Sequence, residues 1–165
     1  MIVENNKVLV VYFSYTGNTK FIANKINEVV GGDIVEIETL KPYDKDLNYV
    51  FEQSKEEISN YFKPEIVNNI KNIEKYDTIY LGSPTWWYTI APPVATFLYK
   101  NNLEGKKIIP FLTNGGYGLG HSIEDIKSLC EKSVIKNWID IPFEKNDLQM
   151  PVEDLEKWIN NCYVN

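Results

Sequence analysis

Arginine is absent from this 165-residue chain, and its 17 cations are all lysines. Against them stand 23 acidic residues, for a net charge of −6. That balance opposes binding to nucleic acid or to an anionic membrane surface, where cationic contacts carry the affinity. It also removes the planar fork that most firmly grips a nucleotide 2′-phosphate. Long hydrophobic runs are missing as well. Nothing approaches the ~20 apolar residues that span a bilayer, and the longest run, around "KVLVVYF", has the length of a strand. The N-terminal "MIVENNK" has neither the basic nor the apolar region of a signal peptide, so a cytoplasmic location is expected. The 2 cysteines, Cys130 and Cys162, form no metal or redox spacing. Both fall on apolar faces of predicted helices, where buried free thiols are a simpler reading than a disulfide. No repeat, low-complexity segment or Gly/Ser-rich linker divides the chain, which reads as one domain over residues 1–165.

What is present is an alternation of strands and helices. Strands are predicted near 7–13, 33–38, 77–82, 107–113 and 137–142. The first shows no polar alternation, as a parallel strand buried on both faces requires, whereas "DIVEIE" (33–38) is mixed and suits an edge. A helix over 17–30 presents Ile22, Ile26, Val29 and Val30 on one face, with Gly31 as its stop. Residues 47–61 predict another helix, with Pro64 breaking the chain before a short turn. A third, near 93–101, carries Val94, Phe97 and Leu98. A fourth, over 121–132, carries Ile123, Ile126, Leu129 and Cys130, with Ser122 and Asp125 approximating a capping box. The last opens at Pro151 and buries Val152, Leu155, Ile159 and Cys162. Such alternation means an α/β domain with a parallel sheet and right-handed crossovers. Pro110, inside the apolar "KIIPFLT", cannot donate to a ladder and predicts a local bulge or an unpaired amide.

Ligands of open parallel sheets sit beyond the carboxyl ends of the strands, and three such ends are chemically unusual. "SYTGNT" (14–19) crowds hydroxyls, an amide and a glycine into a helix start without one positive charge; the nearest cation in sequence is Lys20. Its hydroxyls, Asn18 and backbone N–H groups could share an anion with the helix dipole, which alone contributes roughly 0.3–2 kcal/mol. That suits a phosphomonoester that is held and never transferred, or else the loop is a Ser/Thr-rich cap. Phosphoryl transfer needs lysine and magnesium, and G-x-x-x-x-G-K-[ST] is absent. "GSPTWWYT" (82–89) offers aromatic rings that are costly to leave in water. A flat ligand could stack on them, at ~0.5–1.5 kcal/mol per contact, or they pack on helix 93–101 or on a partner chain. "TNGGYGLGH" (113–121) contains glycines 115, 116, 118 and 120, which let the backbone approach a ligand closely. The dinucleotide fingerprint G-x-G-x-x-G fails there at His121. His121, the only histidine, reads as a solvated first-turn residue or as a proton donor. The three loops together ask for a phosphate at one end of a ligand and a flat heteroaromatic ring at the other, and flavin mononucleotide (FMN) meets that demand.

"SYTGNT" also matches the flavodoxin phosphate-loop pattern [ST]-x-T-G-x-T. "YDTIYLGSPTWWYTIAPPVATFL" (76–98), followed by "IIPFLTNGGYGLGHSIEDIK" (108–127), resembles the flavodoxin-like branch with a Trp-Trp loop. The resemblance spans about residues 7–163. It implies a flavodoxin-like three-layer sandwich with a five-stranded parallel sheet of order 2-1-3-4-5 and FMN at the switch point, for which flavodoxin is the general example. The path from about 132 to 151 is short, as in the short-chain type. By position, Ser14, Tyr15, Thr16, Gly17, Asn18 and Thr19 would bind the phosphate. Pro84, Thr85, Trp86, Trp87 and Tyr88 would frame the ring and its N5 edge, and Thr113, Asn114, Gly115 and Gly116 would meet the pyrimidine. Relatives with this loop commonly carry Gly where this chain has Tyr88. Glycine there eases a peptide rearrangement on flavin reduction, so Tyr88 bears on how far the one-electron form is stabilised.

The resemblance implies a low-potential electron carrier, with the flavin supplying the redox chemistry and no catalytic side chain or metal. The acidic surface would steer it to redox partner proteins with basic docking surfaces. The alternative is an NAD(P)H-dependent quinone, azo or nitro reductase on the same fold, with Tyr117 and His121 beside the ring. A receiver domain of similar topology needs an aspartate where this chain has Ser83, and an acidic pair after the first strand; both are missing.

Overall fold

The protein is described by a computed structural model covering residues 7–164. Residues 1–6, most of the segment lacking signal-peptide features, lie outside the described residues. The chain runs β1 (Val8–Tyr12), α1 (Asn18–Val30), β2 (Asp33–Glu36), α2 (Leu47–Ser59), β3 (Thr78–Trp86), β4 (Thr89–Ile90), α3 (Pro92–Lys100), β5 (Lys107–Asn114), α4 (Ser122–Leu129), β6 (Val134–Ile135), β7 (Ile139–Glu144), β8 (Asp147–Leu148) and α5 (Val152–Val164). A single 3₁₀ turn, Ile73–Lys75, precedes β3.

The sheet order is β2-β1-β3-β5-β7-β8, with β2, β1, β3, β5 and β7 parallel to one another and β8 antiparallel to β7. Counting those long strands alone gives the expected 2-1-3-4-5. Alternation along β1 separates two cores. Leu9 and Val11 pack with Ile79, Leu81 and Ile108 against Val94 and Phe97 of α3 and Ile123 and Ile126 of α4. Val8, Val10 and Tyr12 pack with Tyr80, Ile109 and Phe111 against Ile22 and Ile26 of α1 and Leu155 and Ile159 of α5. Each fully buried large aliphatic side chain contributes roughly 1.5–3 kcal/mol, so both faces of the central strands hold the sheet. β2 is the edge, as its mixed pattern predicts.

Pro110 produces the expected bulge. Ile108 pairs with Ile135 and Phe111 with Ile139, so residues 109–110 of β5 face residues 136–138 and the neighbour carries one extra residue. The Ile108 carbonyl accepts from the Lys136 amide, so two residues on the proline ring faces the same side, where a donor would otherwise be required. Asn137 takes a positive φ of 55°, and its carbonyl, turned out of the ladder, accepts from the Trp158 indole at 2.7 Å.

Three helix details differ from expectation. Val29 and Val152 are exposed, because each lies just off the stripe its helix buries. The Ser122–Asp125 capping box does not form. His121 occupies the cap position, and Ser122 is already helical, with its Oγ buried and without a partner among the described residues. The Asp125 carboxylate is drawn instead to Thr89 and His121. Pro151 stands one residue before α5, and its carbonyl accepts the first helical bonds.

Candidate functional site

The three unusual loops converge at the carboxyl end of the sheet. The first turns on Gly17, whose φ of 94° precedes α1 and whose missing Cβ leaves open space. Helix geometry leaves the first-turn amides of α1 without internal partners, and no acidic residue sits in that turn to compete for them. The side chains here are largely engaged by protein. Ser14 Oγ accepts from the Lys20 amide at 3.2 Å. The buried Thr19 hydroxyl lies 2.7 Å from that of Thr113, joining the first loop to the third. Asn18 Nδ2 donates to the Lys145 carbonyl at 2.7 Å, tying the loop to the β7–β8 hairpin. The Lys20 ammonium pairs with Glu36 at 3.2 Å, so its charge is directed to the edge strand. Thr16 remains exposed at the mouth.

The second loop is a tight hairpin. Thr85 pairs with Ile90 and Trp86 with Thr89, leaving Trp87 and Tyr88 as its two central residues. Both are left-handed, at φ 50° and 66°, the mirror-turn geometry that usually selects Asn-Gly. For side-chain-bearing residues this conformation costs roughly 1–2 kcal/mol each. The two indoles meet different partners. Trp86 stands edge-on among Phe13, Tyr15 and Tyr43 at centroid distances of 5.5, 5.9 and 5.3 Å. Trp87 lies on α2, 4.2 Å from the Phe51 ring, and its N–H donates to the Phe51 carbonyl and to Ser54. The tryptophans therefore do not form one shared stacking platform, and packing on a helix, anticipated for 93–101, occurs on α2 instead. Thr85 Oγ1 is buried and has no partner among the described residues.

The third loop follows Thr113, which lies beside Pro84 in the β3–β5 register. Asn114 organises it. Its Nδ2 donates to Asp140 on β7, and its Oδ1 accepts from the amides of Gly116 at 2.9 Å and Gly118 at 3.3 Å. Gly116, at φ 102°, borders open space, and Tyr117 is exposed with its ring beside Gly115. Where the loop enters α4, the His121 amide donates to the Tyr88 carbonyl at 2.7 Å. A Cβ on Gly120 would overlap that carbonyl, so only glycine lets the two backbones approach. Asp125 accepts from the Thr89 hydroxyl, and the same oxygen lies 2.7 Å from His121 Nδ1.

Each pair of loops is thus joined: the first and third by Thr19–Thr113, the first and second by Tyr15–Trp86, and the second and third by Tyr88–His121 and Thr89–Asp125. Acidic groups surround the mouth without entering the α1 turn. Burial, then Asp44 and Asp46, push the Tyr15 phenol above its usual value. Burial, then the hydrogen bond and charge of Glu57, push the Tyr43 phenol well above its own and keep it a donor. The sequence singles out Asp125 only as part of a helix cap, and neither Asp140 nor the α2 residues beneath Trp87. Asp140 alone left a signal there, as an acidic residue inside the predicted strand "WIDIP". A hollow of about 500 Å³ beside Tyr49, Glu52 and Glu56 belongs to the outer face of α2 and involves none of the loops. The arrangement offers neutral donors at a helix start, with aromatic and glycine-rich walls beside it.

The sequence profile of the family described as Flavodoxin matches residues 7–162. Among solved structures, a Bacteroides eggerthii DSM 20697 protein assigned as a flavoprotein is 30% identical, with 96% of this chain and 99% of that one covered and a TM-score of 0.77. A Bacteroides uniformis ATCC 8492 protein with the same assignment is 26% identical, with coverages of 94% and 98% and a TM-score of 0.76. A flavoprotein of Lactobacillus acidophilus NCFM, solved in complex with FMN, is 25% identical, with coverages of 93% and 98% and a TM-score of 0.71. No curated protein matches the chain.

Proposed function

Because this chain belongs to the flavodoxin family, we propose that it binds FMN and carries electrons at low potential between redox partner proteins in the cytoplasm. The observation that carries this reading is the α1 start, where the turn at Gly17 borders open space, no acid stands in the first turn, and the Lys20 ammonium is drawn away to Glu36. A phosphate that serves only as a handle needs no more than that. The residues fit the cofactor at its other end as well: Thr85 Oγ1 is buried without a partner among the described residues, and Gly116 borders open space in the third loop. When bound, FMN supplies the redox chemistry.

The chain's own residues hold and orient it. Ser14, Tyr15, Thr16, Gly17, Asn18 and Thr19 would take the phosphate, with Asn18 and Thr19 acting through backbone amides because their side chains are engaged. Pro84, Thr85, Trp86, Trp87 and Tyr88 would frame the ring. Thr113, Asn114, Gly115 and Gly116 would meet its pyrimidine edge, Asn114 chiefly by shaping the loop. Asp44 and Asp46, near Tyr15, disfavour added negative charge on the ring and so favour a low potential. The net charge of −6 steers docking to basic partners, with a rate that falls as salt rises.

The alternative, an NAD(P)H-dependent quinone, azo or nitro reductase, draws on the exposed Tyr117 and on His121 at the third loop. Anaerobic stepwise reduction of the FMN-loaded protein decides between them. Accumulation of a one-electron form supports the carrier. Steady NAD(P)H oxidation with a quinone and no added reductase overturns it in favour of the enzyme. A colourless protein that ignores added FMN overturns both.

A further inference from the structure

Trp87 and Tyr88 both occupy left-handed backbone conformations, which residues with side chains keep only where the surroundings over-determine them. Pairing of Trp86 with Thr89 closes the hairpin, and α2 holds the Trp87 indole through Phe51 and Ser54. The restraint on the Tyr88 side comes from the start of α4. The His121 amide holds the Tyr88 carbonyl, Gly120 packs directly on it, and the Thr89 hydroxyl reaches Asp125. Asp125 also holds the His121 ring through Nδ1. One carboxylate oxygen therefore gathers the strand side and the helix side of the same clamp.

We propose that Asp125 is a positioning residue of the cofactor site: by holding Thr89 and His121 together it keeps the Trp87–Tyr88 turn in its left-handed form against the ring end of the flavin. The inference rests on the reading that this turn frames FMN. The competing role is a first-turn charge favourable to the α4 dipole. Glu124 offers that role equally, since it too lies in the first turn, and among the described residues no hydrogen bond or ion pair joins it to the hairpin.

A double-mutant cycle separates the two roles. Glycine adopts φ 66° without strain, so Tyr88→Gly relieves the demand that the clamp meets. FMN and riboflavin affinities are read by fluorescence titration, and the urea midpoint of the flavin-free protein is read alongside. Asp125→Ala alone is expected to weaken both flavins about tenfold, and less than about threefold when combined with Tyr88→Gly, the non-additivity of residues that share one interaction. Thr89→Val severs the same bond from the other end with little change in shape, and should reproduce the pattern if Asp125→Ala folds poorly. Glu124→Gln should change neither affinity. Equal losses from Asp125→Ala with and without Tyr88→Gly overturn the proposal. If the native protein binds neither flavin, the cofactor reading falls. The urea midpoints still decide the clamp: a smaller loss from Asp125→Ala beside Tyr88→Gly upholds it, and an equal loss overturns it.

Discussion

The Thr19 and Thr113 hydroxyls lie 2.7 Å apart, both buried, although 94 residues separate them in the chain. One stands at the start of α1 and the other near the end of β5, so a single bond sets the spacing between the first and third loops. Thr113→Val leaves the Thr19 hydroxyl buried and unsatisfied, at an expected cost of about 1–3 kcal/mol in urea unfolding of the flavin-free protein. Combining Thr19→Val with Thr113→Val should recover much of that loss, because two apolar groups of matching shape leave no orphaned donor. A double variant as unstable as the sum of the singles would contradict it.

Asn114 should govern the order of the third loop. Its side chain accepts from the Gly116 and Gly118 amides and donates to Asp140. Asn114→Ala is expected to accelerate exchange of those two amides at least tenfold, with about 1–2 kcal/mol of lost stability. Asp140→Ala should produce a weaker version of both effects. Hydrogen exchange followed by NMR resolves the two glycines directly.

Trp87 should matter more to α2 than its place in the loop suggests. Its indole N–H reaches the Phe51 carbonyl at 3.0 Å and Ser54 at 3.2 Å. Trp87→Phe retains ring burial but removes the donor, at about 1 kcal/mol. Faster amide exchange along Leu47–Ser59, with α4 unchanged, is the expected signature.

The cysteines predict an alkaline limit. Burial pushes the Cys130 thiol up from 9.0 to about 11 and also raises Cys162. A raised folded value means the stabilisation is fully present below the unfolded value and is lost as pH rises through the folded one. Unfolding free energy should therefore decline between about pH 9 and 11. At pH 8 a thiol–disulfide exchange reagent should label the native protein slowly and label 2 thiols at once in denaturant. Rapid labelling of the native chain would refute the buried assignment.

Much of this architecture was readable before folding. The unbroken apolar "VLVVY" demanded a strand covered on both faces, and each helix stripe demanded one of the two cores. Pro110 announced a bulge because a missing donor is a local fact. The glycine turn before α1 and the glycines of the third loop were legible for the same reason. Asp125 was misread as a helix cap, since Ser122 three residues before it satisfies the local pattern. Its actual partner, Thr89, is 36 residues away and meets it only because β4 and α4 pack together. The placement of Trp87 on α2 likewise depends on where a helix from a long connection settles. Neither contact has a periodicity or a spacing that betrays it.

The bond from Asn18 to the Lys145 carbonyl spans 127 residues, and Asn114 is likewise fastened to Asp140. During synthesis the loop at Gly17 emerges long before the hairpin that anchors it. Neither fastening can form until β7 and the turn after it have appeared, so a chain clipped before residue 139 should keep the first and third loops in sequence while losing both of their distal anchors.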